Sequence, residues 1–160
     1  MNQQTAGIGV VPTDILLSYD GIDFLRAMID GKIPRPPITE TIGFRLIAAD
    51  PGRAVFGGVP NFRHYNPNST VHAGFTATLL DSAMACAVHT LLKKGEAYTT
   101  LELKLNLVRA LTDDVGPVEA EGRIVHRGRS TATAEGHLRD GAGKLFAHAT
   151  TTCMIFTAKA

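Results

Sequence analysis

Residues 71–92 have the apolar spacing of one long helix, and no other part of the chain constrains the fold as strongly. Apolar residues recur every three or four positions over about six turns, which keeps them on one side of an α-helix: Phe75, Leu79, Leu80, Ala83, Met84, Ala87, Val88 and Leu91. Gly95 ends the helix, and Lys93 and Lys94 precede it, where the helix dipole favours cations. Because so apolar a helix must be covered, the rest of the chain has to supply an apolar surface for it.

The sequences on both sides of this helix alternate as β-strands do. Before it, Thr39–Ala49 and Arg53–Val59 flank the turn sequence Asp50-Pro51-Gly52 and predict a hairpin. Four more strands are predicted after it: Tyr98–Arg109, Val118–His126, Ser130–Arg139 and Lys144–Phe156. Because the intervening turns are short, we expect each of the four to pair with its neighbour in an antiparallel meander. The order predicts an α+β fold, a curved antiparallel β-sheet wrapped around one long central α-helix.

The first 37 residues are predicted to be an extension of this domain. A short helix is expected over residues 20–30, since apolar residues at helical spacing follow Asp20 and Gly31 ends the run. The segment Pro34–Pro37 is a stiff extended connector, because proline fixes its own backbone and restricts the residue before it. We therefore predict an N-terminal extension over 1–37 and a single domain over 38–157.

Composition argues against several classes of function. Hydrophobic residues make up 44% and charged residues 19% of the chain, as in soluble globular proteins. The net charge of +1 provides no field to attract nucleic acid, and no segment approaches the 18 apolar residues of a membrane span. Cys86 and Cys153 lie in apolar segments as small hydrophobic residues. We expect a cytoplasmic protein with no nucleic-acid or membrane partner and no secretion signal.

Asp81 is the only aspartate, glutamate, lysine or arginine in residues 71–92. An unpaired carboxylate costs several kcal/mol to bury, and aspartate is a mediocre residue inside a helix, so neither packing nor helix propensity accounts for it. Its flank of the helix carries small or hydroxylated residues, which leave room for a ligand: Ala77, Thr78, Ser82 and Ala85. We interpret Asp81 as a functional carboxylate; the alternative is a solvated aspartate on an exposed helix face.

The segment that precedes the helix, Asn66-Pro67-Asn68-Ser69-Thr70-Val71-His72-Ala73-Gly74, is rich in small and turn-forming residues. If the helix begins near Ala73, the N–H groups of its first turn are free at its positive end and suit a developing oxyanion. An ordinary capped loop is the alternative interpretation of this segment.

Together, the segment from His64 to Gly74 and the Thr78-Leu79-Leu80-Asp81 that follows resemble the PaaI-like branch of hotdog-fold thioesterases. The pattern of that family is Asn-x-x-Gly-x-x-His-Gly-Gly, then six residues and an Asp. The spacing matches throughout, and the resemblance covers about residues 38–157. It implies hydrolysis of a short- or medium-chain or aryl acyl-CoA to free acid and CoA, with no cofactor other than the CoA of the substrate. The chain departs from the pattern at Ser69 and Ala73, which replace glycines.

The resemblance also implies a role for each residue of the site. Asp81 acts as general base or as nucleophile, and the alternatives stay open. Asn66 orients the attacking water or the carbonyl, the backbone N–H of Ala73 or Gly74 binds the oxyanion, and His72 supports the site. A lone histidine at a helix start caps or packs more often than it transfers protons.

Family members hold the phosphates of CoA with residues after the fourth strand, here Arg127, Gly128, Arg129 and Ser130, since guanidinium groups suit phosphate oxygens. A charged hairpin turn is the alternative, and Lys104 and Arg109 are weaker candidates for the same task. Hotdog subunits join their sheets edge to edge, so we expect a homodimer in which Asp81 of one copy faces Asn66 and Ala73 of the other. Tetramers are also common in the family.

Two other functions are compatible with the same fold. A hydratase or dehydratase uses a histidine together with a carboxylate, in a placement that this sequence does not have. A non-catalytic acyl-CoA-binding protein, such as a ligand sensor or a partner subunit, keeps the groove but has no need of Asp81. We expect the groove to be lined by Met84, Phe62 and the N-terminal helix.

Overall fold

The structure is a computed structural model that describes residues 6–158. Its helices are α1 (Thr13–Leu17), α2 (Gly21–Ile29), α3 (Ile38–Ile42) and α4 (Ala73–His89). Its strands are β1 (Phe44–Asp50), β2 (Arg53–Gly58), β3 (Glu96–Leu107), β4 (Val118–Arg127), β5 (Thr131–Asp140) and β6 (Leu145–Thr157). The six strands form one antiparallel sheet, and α4 contacts every one of them, so the sheet curves around the helix. The predicted architecture is confirmed.

The order of the strands differs from the predicted meander. The sheet runs β1-β2-β4-β5-β6-β3, so β3 pairs with β6 and not with β4. The connection from β3 to β4 is not a tight turn: it buries Leu111 in the core, and the Leu111 carbonyl accepts a hydrogen bond from the Val71 N–H just before α4 (2.8 Å). The connection passes the start of α4 and continues into β4, which lies between β2 and β5, so β3 remains at an edge of the sheet.

A second difference concerns the start of the first predicted strand. Residues 38–42 form α3 instead, with the hydroxyls of Thr39 and Thr41 donating to the carbonyls of Pro36 and Pro37. Gly43 ends α3 with φ of 76°, a left-handed conformation that glycine adopts at low cost. The strand therefore begins at residue 44. The short helix α1 was not expected either.

Helix α4 lies against the sheet at van der Waals distance. Leu79, Leu80 and Met84 are wholly buried beneath it. On β4, a methyl group at Gly122 would lie 2.3 Å from the carbonyl oxygen of Ala83 on the helix, closer than any non-bonded carbon–oxygen contact. The close approach of helix and sheet thus depends on the absence of a side chain at Gly122.

We expect Gly122→Ala to lower the free energy of unfolding by about 3 kcal/mol, because the added methyl pushes backbone against backbone in a filled core. Urea denaturation measures the change. Gly57→Ala on β2 is the matched control, since a methyl there meets only the side chain of Ile47, at 3.5 Å. Equal effects of the two substitutions would contradict the close-approach argument.

The N-terminal segment packs against the C-terminal end of α4. Phe24 of α2 stacks on His89 with 5.3 Å between ring centroids, and the Gly21 N–H donates to the Leu92 carbonyl (3.0 Å). Residues 6–9 also bond to the connector, where Ile8 forms a parallel bridge with Arg35. The helix predicted over 20–30 is present as α2. The connector is extended at Arg35, but Pro37 already has helical backbone angles and leads into α3, so the prediction of an extended segment over 34–37 is correct only in part. The segment is docked along the domain and forms part of its surface.

Burial lowers the pKa of His89 from 6.5 to about 4. Between pH 6.5 and 4 the unfolded chain binds a proton at this histidine and the folded chain does not, so stability falls as pH falls through this window. We expect the loss to be at most about 1.4 kcal/mol per pH unit. Above pH 6.5 the histidine adds no pH dependence. Urea denaturation at several pH values should show the slope, and His89→Gln should flatten it, whereas His126→Gln at an exposed position should not.

Candidate active site

Asp81 lies midway along α4 at the edge of a cavity of about 750 Å³. The carboxylate is half-buried, on the strip of α4 that the sheet leaves uncovered, together with Ala77, Thr78 and Ser82. Its Oδ1 accepts a hydrogen bond from the Thr100 hydroxyl (3.1 Å). The alternative of a fully solvated aspartate therefore does not hold: the side chain is oriented, and one of its oxygens remains available to a ligand in the cavity.

Thr100 holds Asp81 from an irregular point of β3. The register between β3 and β6 shifts between Thr100 and Glu102, so Leu101 bulges out of the ladder and is 56% exposed. Such bulges re-aim side chains at functional sites. Sequence reasoning missed Thr100, because nothing local to β3 indicates that it lies beside α4.

Cys86 contributes a thiol to the lining of the cavity. Burial raises the pKa of its thiol to about 12. A thiolate is the reactive form of cysteine, and this one stays protonated at neutral pH. Asp81 is the one carboxylate among the described residues that line the cavity, and it is suited to attack or to accept a proton.

A second cluster surrounds the N-terminus of α4. The helix begins at Ala73, and His72 caps it: its Nδ1 accepts a hydrogen bond from the Gly74 N–H (2.9 Å). A methyl group at Gly74 would lie 2.9 Å from that nitrogen, which explains the glycine. The capping role expected of a lone histidine at this place is confirmed. Since Gly74 is engaged, the N–H of Ala73 is the one of this pair without a partner among residues 6–158.

Asn66 braces the loop in front of α4. Its Oδ1 accepts from the N–H groups of Asn68 (2.8 Å) and Thr70 (3.3 Å), and its Nδ2 donates to the Thr70 hydroxyl (2.9 Å). Asn66, Thr70 and Ala73 line a smaller cavity of about 330 Å³, together with Leu107 and Arg109. The structure thus brings Asn66 and Ala73 to one place.

Ser69 has φ of 59°, the one left-handed backbone of a residue other than glycine within 6–158. This explains why the family pattern has glycine there. At Ala73 the backbone is helical, so alanine fits without strain. We expect Ser69→Gly to raise the free energy of unfolding by about 1 kcal/mol, because glycine adopts this conformation without steric cost. Thermal denaturation measures the gain, and Ser130→Gly, in an ordinary turn, is the comparison. A loss of stability in Ser69→Gly would contradict the strain argument.

The two clusters are separate within one chain. Asp81 follows Ala73 by eight residues of continuous helix, about 12 Å along its axis. They open into different cavities, and no residue lines both. One chain therefore does not present the carboxylate and the Ala73 N–H to the same carbonyl group.

The turn from β4 to β5 carries the residues predicted to hold phosphates. Arg127 makes a two-oxygen salt bridge to Glu96 through its Nη2 (3.0 and 2.9 Å), and its Nη1 donates to the carbonyl of Gly128 (2.7 Å). Arg129 and Ser130 are exposed, and Arg129 has no ion-pair partner in the part of the chain that the structure describes. Arg129 is thus the guanidinium of this turn that is available to a ligand.

The expected lining of the groove is correct in part. The N-terminal helix α2 lines the Asp81 cavity through Leu25, Met28 and Ile29. Met84 does not, because it is wholly buried and faces the sheet, and Phe62 is 78% exposed and lies elsewhere. Met84 follows Leu80 by four residues and therefore lies on the same face of the helix. The sequence alone does not show whether that face packs in the core or lines the groove.

Comparison with known proteins assigns this arrangement to a class. The family model of the thioesterase superfamily matches residues 68–147, which include α4, Asp81 and the turn at Arg127. A phenylacetic acid degradation-related protein from Ralstonia eutropha, which is described as a thioesterase, has 31% sequence identity and a TM-score of 0.74, over 82% of this chain and 98% of that one. A variant of the phenylacetic acid degradation protein PaaI from Thermus thermophilus has 33% identity and a TM-score of 0.66, over 75% and 97%.

The chain therefore belongs to the thioesterase superfamily, in its PaaI-like branch with the hotdog fold. By class it is a thioester hydrolase. Both solved structures are matched over almost their full length, whereas part of this chain has no counterpart in them. A search of curated proteins returned no match. Within residues 6–158, no helix has the length and hydropathy that crossing a bilayer requires.

Proposed function

We propose that this chain hydrolyses the thioester of a short- or medium-chain or aryl acyl-CoA to free acid and CoA. The observation that carries the proposal is Asp81, a half-buried carboxylate held by Thr100 at the edge of a large cavity. As general base, it accepts a proton from water while the water oxygen bonds to the thioester carbon; the C–S bond then breaks and the CoA thiolate leaves with a proton. As nucleophile, its oxygen bonds to the thioester carbon, the C–S bond breaks and the CoA thiolate leaves and takes up a proton; water then hydrolyses the acyl anhydride to the free acid and restores Asp81.

The oxyanion of this reaction is stabilised by the Ala73 N–H at the positive end of α4. His72 supports that donor by fixing the first turn of the helix, and Asn66 supports it by bracing the loop. Because Ala73 and Asp81 of one chain lie about 12 Å apart, a complete site takes each from a different copy.

Strand β3 is the element through which two copies pair in such a homodimer. It is an edge strand with an exposed Leu101, and proteins seldom leave a long edge unpaired. Thr100, beside Asp81, lies towards one end of β3, and Leu107, beside Ala73, lies at the other. Antiparallel pairing of two copies of β3 about an axis between Leu103 and Lys104 sets Thr100 of one copy opposite Leu107 of the other. Each Asp81 then faces the Ala73 cavity of the second copy.

The phosphates of CoA bind at the turn from β4 to β5, and among its residues we assign the main contact to Arg129. Its guanidinium is exposed and without an ion-pair partner among the described residues, whereas Arg127 is held by Glu96. Gly128 and Ser130 shape the turn and leave its surface accessible.

The proposed function is tested by thiol release from a panel of butyryl-, octanoyl- and phenylacetyl-CoA, followed with a thiol reagent. We expect turnover of at least one of these substrates by the purified protein. If the protein binds acyl-CoA by calorimetry but releases no thiol from any of them, the chain is a binding protein and the proposed reaction is wrong.

A further inference from the structure

The N-terminal segment forms part of the wall of the Asp81 cavity and is therefore placed to contact a bound substrate. The cavity lies between α4 on one side and α2 with β1 on the other. Along α4 it extends from Asp81 to Cys86, about 7.5 Å towards the C-terminal end of the helix. Ser82 and Thr100 lie beside Asp81, and the exposed side chains of Arg35 and Arg45 also line the cavity. Apolar side chains form most of the opposite wall: Leu25, Met28, Ile29, Ile38, Leu46 and Phe56.

This wall is fixed in place. Phe24 and Leu25 of α2 are buried in the core, and Phe24 stacks on His89 at the end of α4. The Gly95 N–H donates to the Leu17 carbonyl (2.9 Å), which ties the start of the segment to the end of the α4 region. A wall held at several points keeps its shape and selects ligands by size.

The volume of the cavity indicates the size of its ligand. An apolar cavity of about 150 Å³ is enough to bind benzene. The Asp81 cavity measures about 750 Å³, so an acyl group of two to four carbons would fill only a small part of it. The buried part of this wall, formed by Leu25, Leu46 and Phe56, offers no polar partner, so an apolar acyl group is favoured there over a hydrated one.

We propose that α2 forms the wall of the acyl pocket, with Met28 and Ile29 as the residues that determine specificity, and that the preferred acyl group is apolar and larger than butyryl. This inference rests on the proposed function for the reaction, but it assigns a binding role to residues that precede the part matched by the family model. Met28 and Ile29 touch the acyl group, not the reacting atoms.

A matched pair of variants tests the pocket. Ile29 and Ile15 are isoleucines on helices of the same segment with similar exposure, 40% and 44%, but only Ile29 lines the cavity. We expect Ile29→Trp to lower kcat/KM for octanoyl-CoA about tenfold relative to butyryl-CoA. Ile15→Trp should leave the ratio unchanged. Met28→Ala enlarges the pocket, and we expect it to shift the preference towards acyl groups longer than octanoyl. An unchanged ratio in Ile29→Trp and in Met28→Ala would overturn the assignment.

Binding measured without turnover separates this inference from the reaction. In the Asp81→Asn background, calorimetry should show that Ile29→Trp weakens octanoyl-CoA about tenfold and leaves free CoA unchanged. If neither the wild type nor any variant releases thiol but this selective weakening occurs, the proposed hydrolysis is wrong and the assignment of the acyl pocket is supported. If thiol is released but Ile29→Trp affects octanoyl-CoA and free CoA equally, the reaction stands and the pocket is wrong.

Discussion

Replacement of Asp81 by asparagine should lower kcat for acyl-CoA hydrolysis at least about a hundredfold, with little change in folding. An amide neither accepts a proton from water at neutral pH nor attacks a thioester, so both mechanisms open to Asp81 are lost. The amide keeps an oxygen in the place of Oδ1, which still accepts from the Thr100 hydroxyl. The half-buried side chain therefore retains its partner, and the helix its packing.

Thiol release and the thermal transition should be measured together on this variant. Asp23→Asn is the matched control, because Asp23 is also a helical aspartate but lies exposed on α2, outside the cavity. We expect Asp23→Asn to keep full activity. Wild-type turnover in Asp81→Asn would exclude the assignment of Asp81, and equal losses in both variants would indicate a general effect of charge.

The long helix and most strands were predictable because their signals are local. The helical spacing in residues 71–92 and the alternation around Asp50-Pro51-Gly52 each lie within one segment. The position of β3 in the sheet was not predictable, because the strand order depends on how the connection that follows β3 packs. Among residues 108–117 only Leu111 is buried, and the sequence does not distinguish it from the other apolar residues of this connection. Its burial and its hydrogen bond to Val71 show where the chain crosses.

The residues of the candidate site also fall into those with a local sequence signal and those without one. Asp81 stands out in sequence because a charge in an apolar helix has a cost, and His72 and Ala73 follow from the place where that helix begins. Thr100 comes from β3, far along the chain, and no local pattern marks it as the partner of Asp81. The engagement of the Gly74 N–H by His72, and of Arg127 by Glu96, likewise depends on side-chain geometry that spacing does not fix.

We expect Ala73→Pro to lower kcat about a hundredfold to a thousandfold, as the loss of one oxyanion donor does elsewhere. Proline lacks the N–H but is favoured at the first residue of a helix. His72 already has φ of −61° and ψ of 140°, the extended backbone that a residue before proline requires. Helix α4 should therefore form, with only the donor removed. Ala73→Gly keeps the N–H and has the residue of the family pattern, so its activity should stay near that of the wild type.

Mixed dimers of the two inactive chains should regain activity if each site takes Asp81 from one copy and Ala73 from the other. The Ala73→Pro chain supplies an intact Asp81, and the Asp81→Asn chain supplies an intact Ala73 N–H. Random pairing of equal amounts, after co-expression with two tags, makes half of the dimers mixed, each with one complete site of two, or about a quarter of wild-type activity. Purification through both tags should enrich this activity. If mixed dimers form but remain inactive, Asp81 and Ala73 do not act across the interface, and the site has to be sought within one chain.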